Sequence, residues 1–113
     1  MQLPLQITAR GIELEAPADA LIRKYAGKLD RYYNHIMTVR VLIEVPQRRM
    51  GEPIAYHVRY DITVPGGEVV VSKHTDPELH TAIQRAFEAA KRRLQDYARR
   101  QRGDVKERAS TRA

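Results

Sequence analysis

The sequence has 113 residues, of which 20 are Lys or Arg and 14 are Asp or Glu, so its formal net charge is +6. This length suits one domain with a modest hydrophobic core. Cysteine is absent, which excludes disulfide scaffolds, thiol catalysis and cysteine-ligated metals. No apolar run approaches the roughly 18 residues of a membrane span, and no signal-peptide pattern opens the chain, so we expect a soluble, cytoplasmic protein.

The first part of the chain predicts a strand followed by a helix. Apolar and polar residues alternate over residues 2–8, which is typical of a strand with one buried face, and Pro4 favours an edge position because it cannot donate to a ladder. Pro17 suits the first turn of a helix whose apolar face recurs to about Tyr32. Gly27 falls on the outward face of this helix, where a glycine permits close approach of another backbone.

The middle of the chain predicts three further strands. Residues 37–45 and 54–64 alternate apolar and polar side chains, and residues 46–53 form a polar, basic connection between them. Residues 65–67 read Pro-Gly-Gly, which is a tight-turn signal. Residues 68–74 should therefore return as the antiparallel partner of the preceding strand.

The last helix is predicted over residues 76–102. Asp76 is a good N-cap, and apolar residues recur at three- and four-residue steps to form a single stripe. Three arginines follow one another at seven-residue spacing, nearly opposite that stripe: Arg85, Arg92 and Arg99. Gly103 is predicted to end the helix, and residues 103–113 to form a disordered basic tail beyond a domain of residues 1–102.

The positive charge is concentrated in the last quarter of the chain. Residues 1–84 hold ten Lys or Arg and ten Asp or Glu, whereas residues 85–113 hold ten Lys or Arg against four acids. A solvated helix face usually mixes both signs, because i,i+4 pairing favours that arrangement. A cluster of one sign indicates a polyanionic partner instead, with nucleic acid first and an anionic membrane second.

The predicted element order is β-α-β-β-β-α, and one face of each strand carries nearly all the large apolar residues. The economical arrangement is a two-layer α+β sandwich, with a four-stranded mixed sheet and both helices on one face. A right-handed crossover would make the first two strands parallel. The outward faces of both helices would then form one basic patch, and the candidate RNA-binding residues are Arg23, Lys24, Lys28, Arg31, Arg85, Lys91, Arg92 and Arg99. Lys28 and Lys91 are expected nearer the flanks of that patch.

The sequence offers little catalytic chemistry. The histidines are scattered without a metal-ligand spacing, and a metal near His74 and His80 is a weak alternative to ordinary exposed histidines. We therefore expect no enzyme, no metal, no cofactor and no small-molecule substrate. Tyr56 and Tyr60 share the apolar face of their strand, and Tyr33 is the one aromatic expected to be free. Without stacking platforms, the surface suits phosphate contacts and shape recognition of folded RNA.

Several segments together resemble a known family. Residues 7–10 (ITAR) lead a strand into a helix that ends in residues 28–36 (KLDRYYNHI), residues 64–68 (VPGGE) form a hairpin, and residues 81–83 (TAI) open an Arg-rich helix. Over about residues 1–100 this combination is similar to the ribosome hibernation-promoting factor and ribosome-associated inhibitor family, also called the sigma-54 modulation protein family. The chain resembles a short or truncated form, without the C-terminal domain of long members.

The resemblance implies a double-stranded-RNA-binding-like fold and binding to rRNA of the small ribosomal subunit, in the channel used by mRNA and tRNA. It implies inhibition of translation in stationary phase or stress. The family's basic helix faces correspond to Arg23, Lys24, Lys28, Arg31, Arg85, Lys91, Arg92 and Arg99. The sequence departs from many members at Leu79-His80, where they carry Met-Tyr, and at Gln84, where they carry Asp. Contacts made by that Tyr or Asp cannot be transferred.

Two other functions are alternatives to ribosome binding. A transcription regulator acting on RNA polymerase or sigma-54 would need exposed apolar anchors, of which the sequence shows few. A membrane-surface protein would need the apolar helix faces that the sheet requires, so we expect no membrane partner. The sequence is silent on self-association, and a monomer is the simplest expectation.

Overall fold

The structure, a computed structural model, describes the backbone of residues 4–110 and the side chains of these residues except 72, 73 and 104–110. It contains four strands, two helices and one 3-10 turn. They are β1 (Leu5–Arg10), α1 (Ala16–Ala26), the 3-10 turn Leu29–Arg31, β2 (Thr38–Glu44), β3 (Tyr56–Val64), β4 (Gly67–Asp76) and α2 (Leu79–Ser110). The predicted element order is therefore confirmed, while the part of the first strand assigned to Leu3 lies outside the described residues.

The four strands form one sheet in the order β1-β2-β3-β4. β1 is parallel to β2, and the other two pairs are antiparallel, so the mixed sheet and the edge position of β1 are confirmed. β1 is followed by Gly11, which has a positive φ of 73°. Its Cα lies against the carbonyl oxygen of Val45. A side chain at this position would overlap that oxygen, which is why glycine is required here.

One face of the sheet is covered and the other is open. In register, Val41 lies beside Tyr60, and Ile62 lies beside Val69, all of them buried. The same core contains buried residues of both helices, including Ile22 of α1 and residues of the apolar stripe of α2. The fold is therefore the expected two-layer α+β sandwich with both helices on one face of the sheet.

The register also shows that the two helices run in the same direction. Arg10, the last residue of β1, pairs with Glu44, and Glu44 pairs with His57 near the start of β3. The end of β4 lies at the same place, since Asp76 pairs with Tyr56. Both helices thus begin at one end of the sheet, here called the loop end, which carries the β2–β3 connection. They run toward the hairpin end, which carries the β3–β4 turn.

The first helix is shorter than predicted. α1 ends at Ala26 rather than near Tyr32, and Gly27 caps it by donating its backbone N–H to the carbonyl of Arg23. The chain then makes the 3-10 turn, which places Leu29 in the core with no exposed surface. A continuous helix would be less stable at Gly27 by about 1 kcal/mol relative to Ala. Burial of Leu29 and the low helix propensity of glycine together explain the early end.

The last helix is longer than predicted. α2 continues through Gly103 to Ser110, so the predicted helix end at residue 102 is wrong, whereas the disorder of the tail stays a prediction. Glycine ends a helix when it adopts the left-handed conformation, and Gly103 does not have a positive φ. The following residues include good helix formers, so the helix tolerates one glycine. Residues 111–113 of the predicted tail lie outside the described residues.

The start of α2 is held by Asp76, although that residue is the last of β4 rather than the first of the helix. Its carboxylate accepts a hydrogen bond of 2.9 Å from the backbone N–H of Glu78. At 1.5 Å per residue, the 32 residues of α2 span about 48 Å. The hydroxyl of Tyr97 lies 3.5 Å from the carbonyl oxygen of Pro65, at the hairpin end, so the rest of α2 extends beyond the sheet.

Candidate nucleic-acid interface

The centre of the candidate interface is the arginine line of α2. Ile83, Ala90 and Leu94 on the inner side of the helix are fully buried. At 100° per residue, the opposite side carries three exposed arginines at seven-residue spacing: Arg85, Arg92 and Arg99. The predicted division of this helix into a packing face and a cationic face is therefore what the structure has.

Two of these arginines lie near carboxylates, and both arginine side chains remain largely exposed. Arg85 lies 3.3 Å from Asp76, and Arg99 lies 4.0 Å from Asp96, yet 63% and 74% of the two arginine side chains are exposed. The Arg99–Asp96 pair is exposed on both sides, and such pairs contribute about 0–1 kcal/mol, whereas Asp76, the partner of Arg85, is only 13% exposed. Because both arginine side chains are themselves largely exposed, an anion in solvent can still reach them. Arg92 has no carboxylate within ion-pair distance among the residues whose side chains are described.

An aromatic contact joins the two helices. The ring of Tyr25 on α1 stacks on that of Phe87 on α2, with 4.7 Å between ring centroids and 21° between planes. Phe87 is 5% exposed, so this contact belongs to the core. Stacked aromatic pairs contribute about 0.5–1.5 kcal/mol beyond the area they bury. The stack therefore fixes the last turn of α1 against the third turn of α2.

Two lysines lie at this junction rather than on the flanks, where we expected them. The Nζ atom of Lys91 is 5.3 Å from the ring centroid of Tyr32, and that of Lys28 is 6.0 Å from the ring centroid of Tyr25. Both lysines are half-buried. An ammonium group over an aromatic face is attracted by the ring quadrupole, which limits its positions. The rings thus hold two cations in the groove between the helices.

The remaining candidates on α1 divide into two groups. Lys24 and Arg31 are exposed, and Lys24 lies about one helical turn before Lys28 on the same flank. Arg23 lies two residues before Tyr25, so it points about 160° away from the side that contacts α2. It forms an ion pair with Asp19 there. Arg23 is therefore separated from the other seven candidates.

We call the seven remaining candidates the basic face. They are Lys24, Lys28, Arg31, Arg85, Lys91, Arg92 and Arg99.

The sequence reasoning missed cations beside this face. Arg93 and Arg100 share the seven-residue spacing of the arginine line but lie on the flank of α2 nearer β4, where Arg93 donates a 3.1 Å hydrogen bond to the carbonyl of Val70. Arg100 shares a pocket of about 290 Å³ with Arg93, Glu68 and Asp96. Their spacing was visible in the sequence. Their side of the helix became clear only from the position of β4.

The expectation of one free aromatic is wrong. Tyr33 packs edge-on against Tyr97, with 5.2 Å between ring centroids, and lies 5.4 Å from the ring of His35. Desolvation, and after it the neighbouring Tyr97, raises the pKa of Tyr33 above its ordinary value. Tyr60 is fully buried on the sheet, as expected, and burial raises its pKa strongly, with a further contribution from Tyr25.

Other chemistry is sparse in the part of the chain that the structure describes. No three His, Cys, Asp or Glu side chains there converge closely enough to hold a metal ion. None of the described helices has a stretch both long and apolar enough to span a bilayer. The geometry thus defines a class of protein: a small two-layer α+β domain that presents a cationic, two-helix surface opposite an open sheet.

The chain belongs to the family described as "Sigma 54 modulation protein / S30EA ribosomal protein", which matches residues 5–102. It is 27% identical over 95 residues to the ribosome hibernation promotion factor of Deinococcus radiodurans, a match that covers 84% of this chain and 49% of the relative. The chain thus spans about half the length of this curated relative.

Two solved structures share the fold. A ribosomal subunit interface protein from Coxiella burnetii superposes with a TM-score of 0.70 at 13% identity, covering 85% of this chain and 98% of the other. The N-terminal domain of Protein Y from Thermus thermophilus superposes with a TM-score of 0.64 at 21% identity, covering 86% and 99%. At these identities the likeness supports the fold alone.

Proposed function

We propose that this chain is a ribosome-associated translation inhibitor, which binds rRNA of the small subunit through its basic face and occludes the channel for mRNA and tRNA. Three findings support the proposal. The chain belongs to the S30EA family, its curated relative is named a ribosome hibernation promotion factor, and a structure with the same fold is named a ribosomal subunit interface protein. Action as a cytoplasmic monomer under stress is part of the proposal.

The observation that carries the proposal is the geometry of the basic face. The arginine line of α2 stands beside two lysines in the groove between the helices, and the arginine side chains that form ion pairs remain largely exposed. Phosphate oxygens are the natural partners of such a surface, because guanidinium groups bind them through charge-assisted hydrogen bonds. The cations spread over two helices, which suits the backbone of folded RNA better than a single small anion.

The proposed mechanism is steric and needs no chemical step. A domain bound to rRNA by several phosphate contacts would exclude other ligands from the volume that it fills. Its affinity should be largely electrostatic and therefore should fall as salt rises. Inhibition would be reversible, since it depends on dissociation of the domain rather than on modification of the ribosome.

Two charge-matched variants test the proposal. The helix-face variant carries Arg85→Glu, Arg92→Glu and Arg99→Glu. The sheet-face variant carries Arg10→Glu, Arg40→Glu and Arg59→Glu, three exposed positions on the open face of the sheet. Each variant changes the net charge by the same amount. We expect the helix-face variant to lose co-sedimentation with purified small subunits in a sucrose gradient, while the sheet-face variant co-sediments like the unmodified protein.

Competition with fluorescent mRNA for small subunits then tests occlusion, and we expect the protein to displace the mRNA. Equal co-sedimentation of both variants would show that the basic face is not the binding surface. Nuclease treatment of a lysate distinguishes ribosome binding from the transcription alternative. Association of the protein with RNA polymerase would survive the loss of RNA. The proposal predicts instead that the protein no longer co-sediments once the RNA is degraded.

A further inference from the structure

A cleft at the loop end lies outside the basic face. It opens between the first turns of α1 and α2 and the segment that joins β1 to α1, with a volume of about 470 Å³. That volume falls within the range of about 300–1,000 Å³ that is typical of binding pockets. Its half-buried apolar lining includes Ile12, Leu21, Tyr56 and Leu79, which pack against the core below.

The rim of this cleft is acidic. Glu13 and Glu15 line it together with His80, and all three are exposed. Glu15 occupies the N-cap position of α1, yet its side chain makes no capping hydrogen bond. Neither carboxylate has a cation within ion-pair distance among the residues whose side chains are described. Two free carboxylates therefore border an apolar cleft in a chain with a net charge of +6.

The chemistry of the cleft selects its occupant. The two carboxylates repel phosphate and offset the partial positive charge of the two helix starts, so the cleft is unsuited to the RNA that the basic face is proposed to bind. A basic peptide satisfies both features, because an apolar side chain can fill the cleft while neighbouring Lys or Arg side chains pair with the rim. Charge complementarity of this kind favours correct partners and speeds their encounter.

We propose that this cleft docks a short basic segment of a partner protein, with an apolar side chain seated between the helix starts and flanking cations on Glu13 and Glu15. The proposal does not depend on RNA binding. The loop end and the arginine line are both accessible in one molecule, since Arg92 and Arg99 lie further along α2 toward the hairpin end. A peptide and an RNA can therefore bind at the same time.

The probe is a six-residue peptide with a central Leu-Phe pair and two Lys or Arg residues on each side. Its binding to the full chain is measured by fluorescence anisotropy, and its position by amide shifts in ¹H–¹⁵N spectra. We expect saturable binding below about 1 mM, with the largest shifts at the cleft lining. Peptides with Ser at both central positions, or with Glu at the flanking positions, should bind at least several-fold more weakly.

A charge-matched pair of variants locates the contact. Glu13→Lys with Glu15→Lys should weaken binding by about 3- to 30-fold, as expected for two exposed ion pairs. Glu68→Lys with Glu88→Lys makes the same charge change at exposed positions away from the cleft and should leave the affinity unchanged. Amide spectra of both variants confirm that they are folded.

The proposal is overturned if binding of the peptide does not saturate or if the amide shifts that it causes fall on other surfaces. It is also overturned if the two double variants weaken peptide binding equally. RNA binding by the same samples is measured in parallel. A chain that binds the peptide but not small subunits would contradict the proposed function and leave the cleft proposal standing. The reverse result would contradict only the cleft proposal.

Discussion

The salt dependence of subunit binding gives a quantitative test of the basic face. The change is a neutral version of the helix-face variant, Arg85→Ala with Arg92→Ala and Arg99→Ala. These side chains are exposed and point away from the core, and alanine is the best helix former, so the fold should remain intact. The expected result is a weaker affinity that also depends less steeply on salt.

The magnitude follows from the number of gathered cations. If each of the seven residues of the basic face contacts one phosphate, a coefficient of about 0.9 per contact gives a slope of about −6.3 in log K against log salt. Affinity would then fall by nearly four orders of magnitude between roughly 50 and 200 mM salt. Removal of three contacts lowers the slope to about −3.6, for a loss of roughly 150-fold over the same range. If some of the other four residues make no contact, both slopes become smaller and their difference stays near 2.7.

Fluorescence anisotropy of labelled protein titrated with small subunits at four or five salt concentrations measures both slopes. The control is the alanine version of the sheet-face variant, Arg10→Ala with Arg40→Ala and Arg59→Ala, which removes the same charge from the open face. Its slope should match that of the unmodified protein. Equal slopes for the unmodified protein and the helix-face variant would refute the phosphate contacts, as would an equal change in the two variants.

Three stability predictions follow from the packing, each measured by urea unfolding. Phe87→Leu should lower the free energy of unfolding by about 1–2 kcal/mol, because it removes the interhelical stack and leaves space in the core; no change would mean that the stack contributes nothing. Gly11→Ala should lower the free energy of unfolding by about 2 kcal/mol or more, because the methyl group meets the carbonyl of Val45. Gly66 has a similar positive φ but lies in open space, so Gly66→Ala should lower it by only about 1–2 kcal/mol. The buried Tyr60 hydroxyl has no hydrogen-bond partner among the described residues, so Tyr60→Phe should be neutral or stabilising at pH 7. Because burial raises the folded-state pKa of Tyr60, the unfolded chain loses its proton first above pH 10, and unmodified protein should lose about 1.4 kcal/mol per pH unit there relative to Tyr60→Phe. If the free energy of unfolding of both proteins changed equally with pH above 10, the raised pKa of Tyr60 would be contradicted.

The sequence predicted the architecture because local pattern and global packing agree in this chain. Alternation of apolar side chains in β3 marked its buried face, and the Pro-Gly-Gly turn specified the antiparallel return. Helix ends were less predictable. The end of α1 depends on burial of Leu29, which is a tertiary contact. The continuation of α2 depends on the backbone conformation of Gly103, which composition does not determine.

The same distinction holds for the site. The arginine line of α2 follows from periodicity alone, so it was predictable from the sequence. The separation of Arg23 depends on which side of α1 faces α2, and that side is defined by the contact of Tyr25 with a residue 62 positions later in the chain. Likewise, Lys91 was assigned to a flank because its Tyr32 partner comes from another element.

The junction between the helices therefore connects stability with the proposed function. A cation on a lone surface helix loses side-chain entropy when it binds phosphate, which reduces its net contribution. Lys28 and Lys91 are already restricted by aromatic rings, and one of those rings also stacks on Phe87 in the core. Part of the entropic cost of binding is then met when the protein folds, as preorganisation requires. This argues that the two half-buried lysines contribute more affinity per charge than the exposed arginines of α2, although the arginines are more numerous.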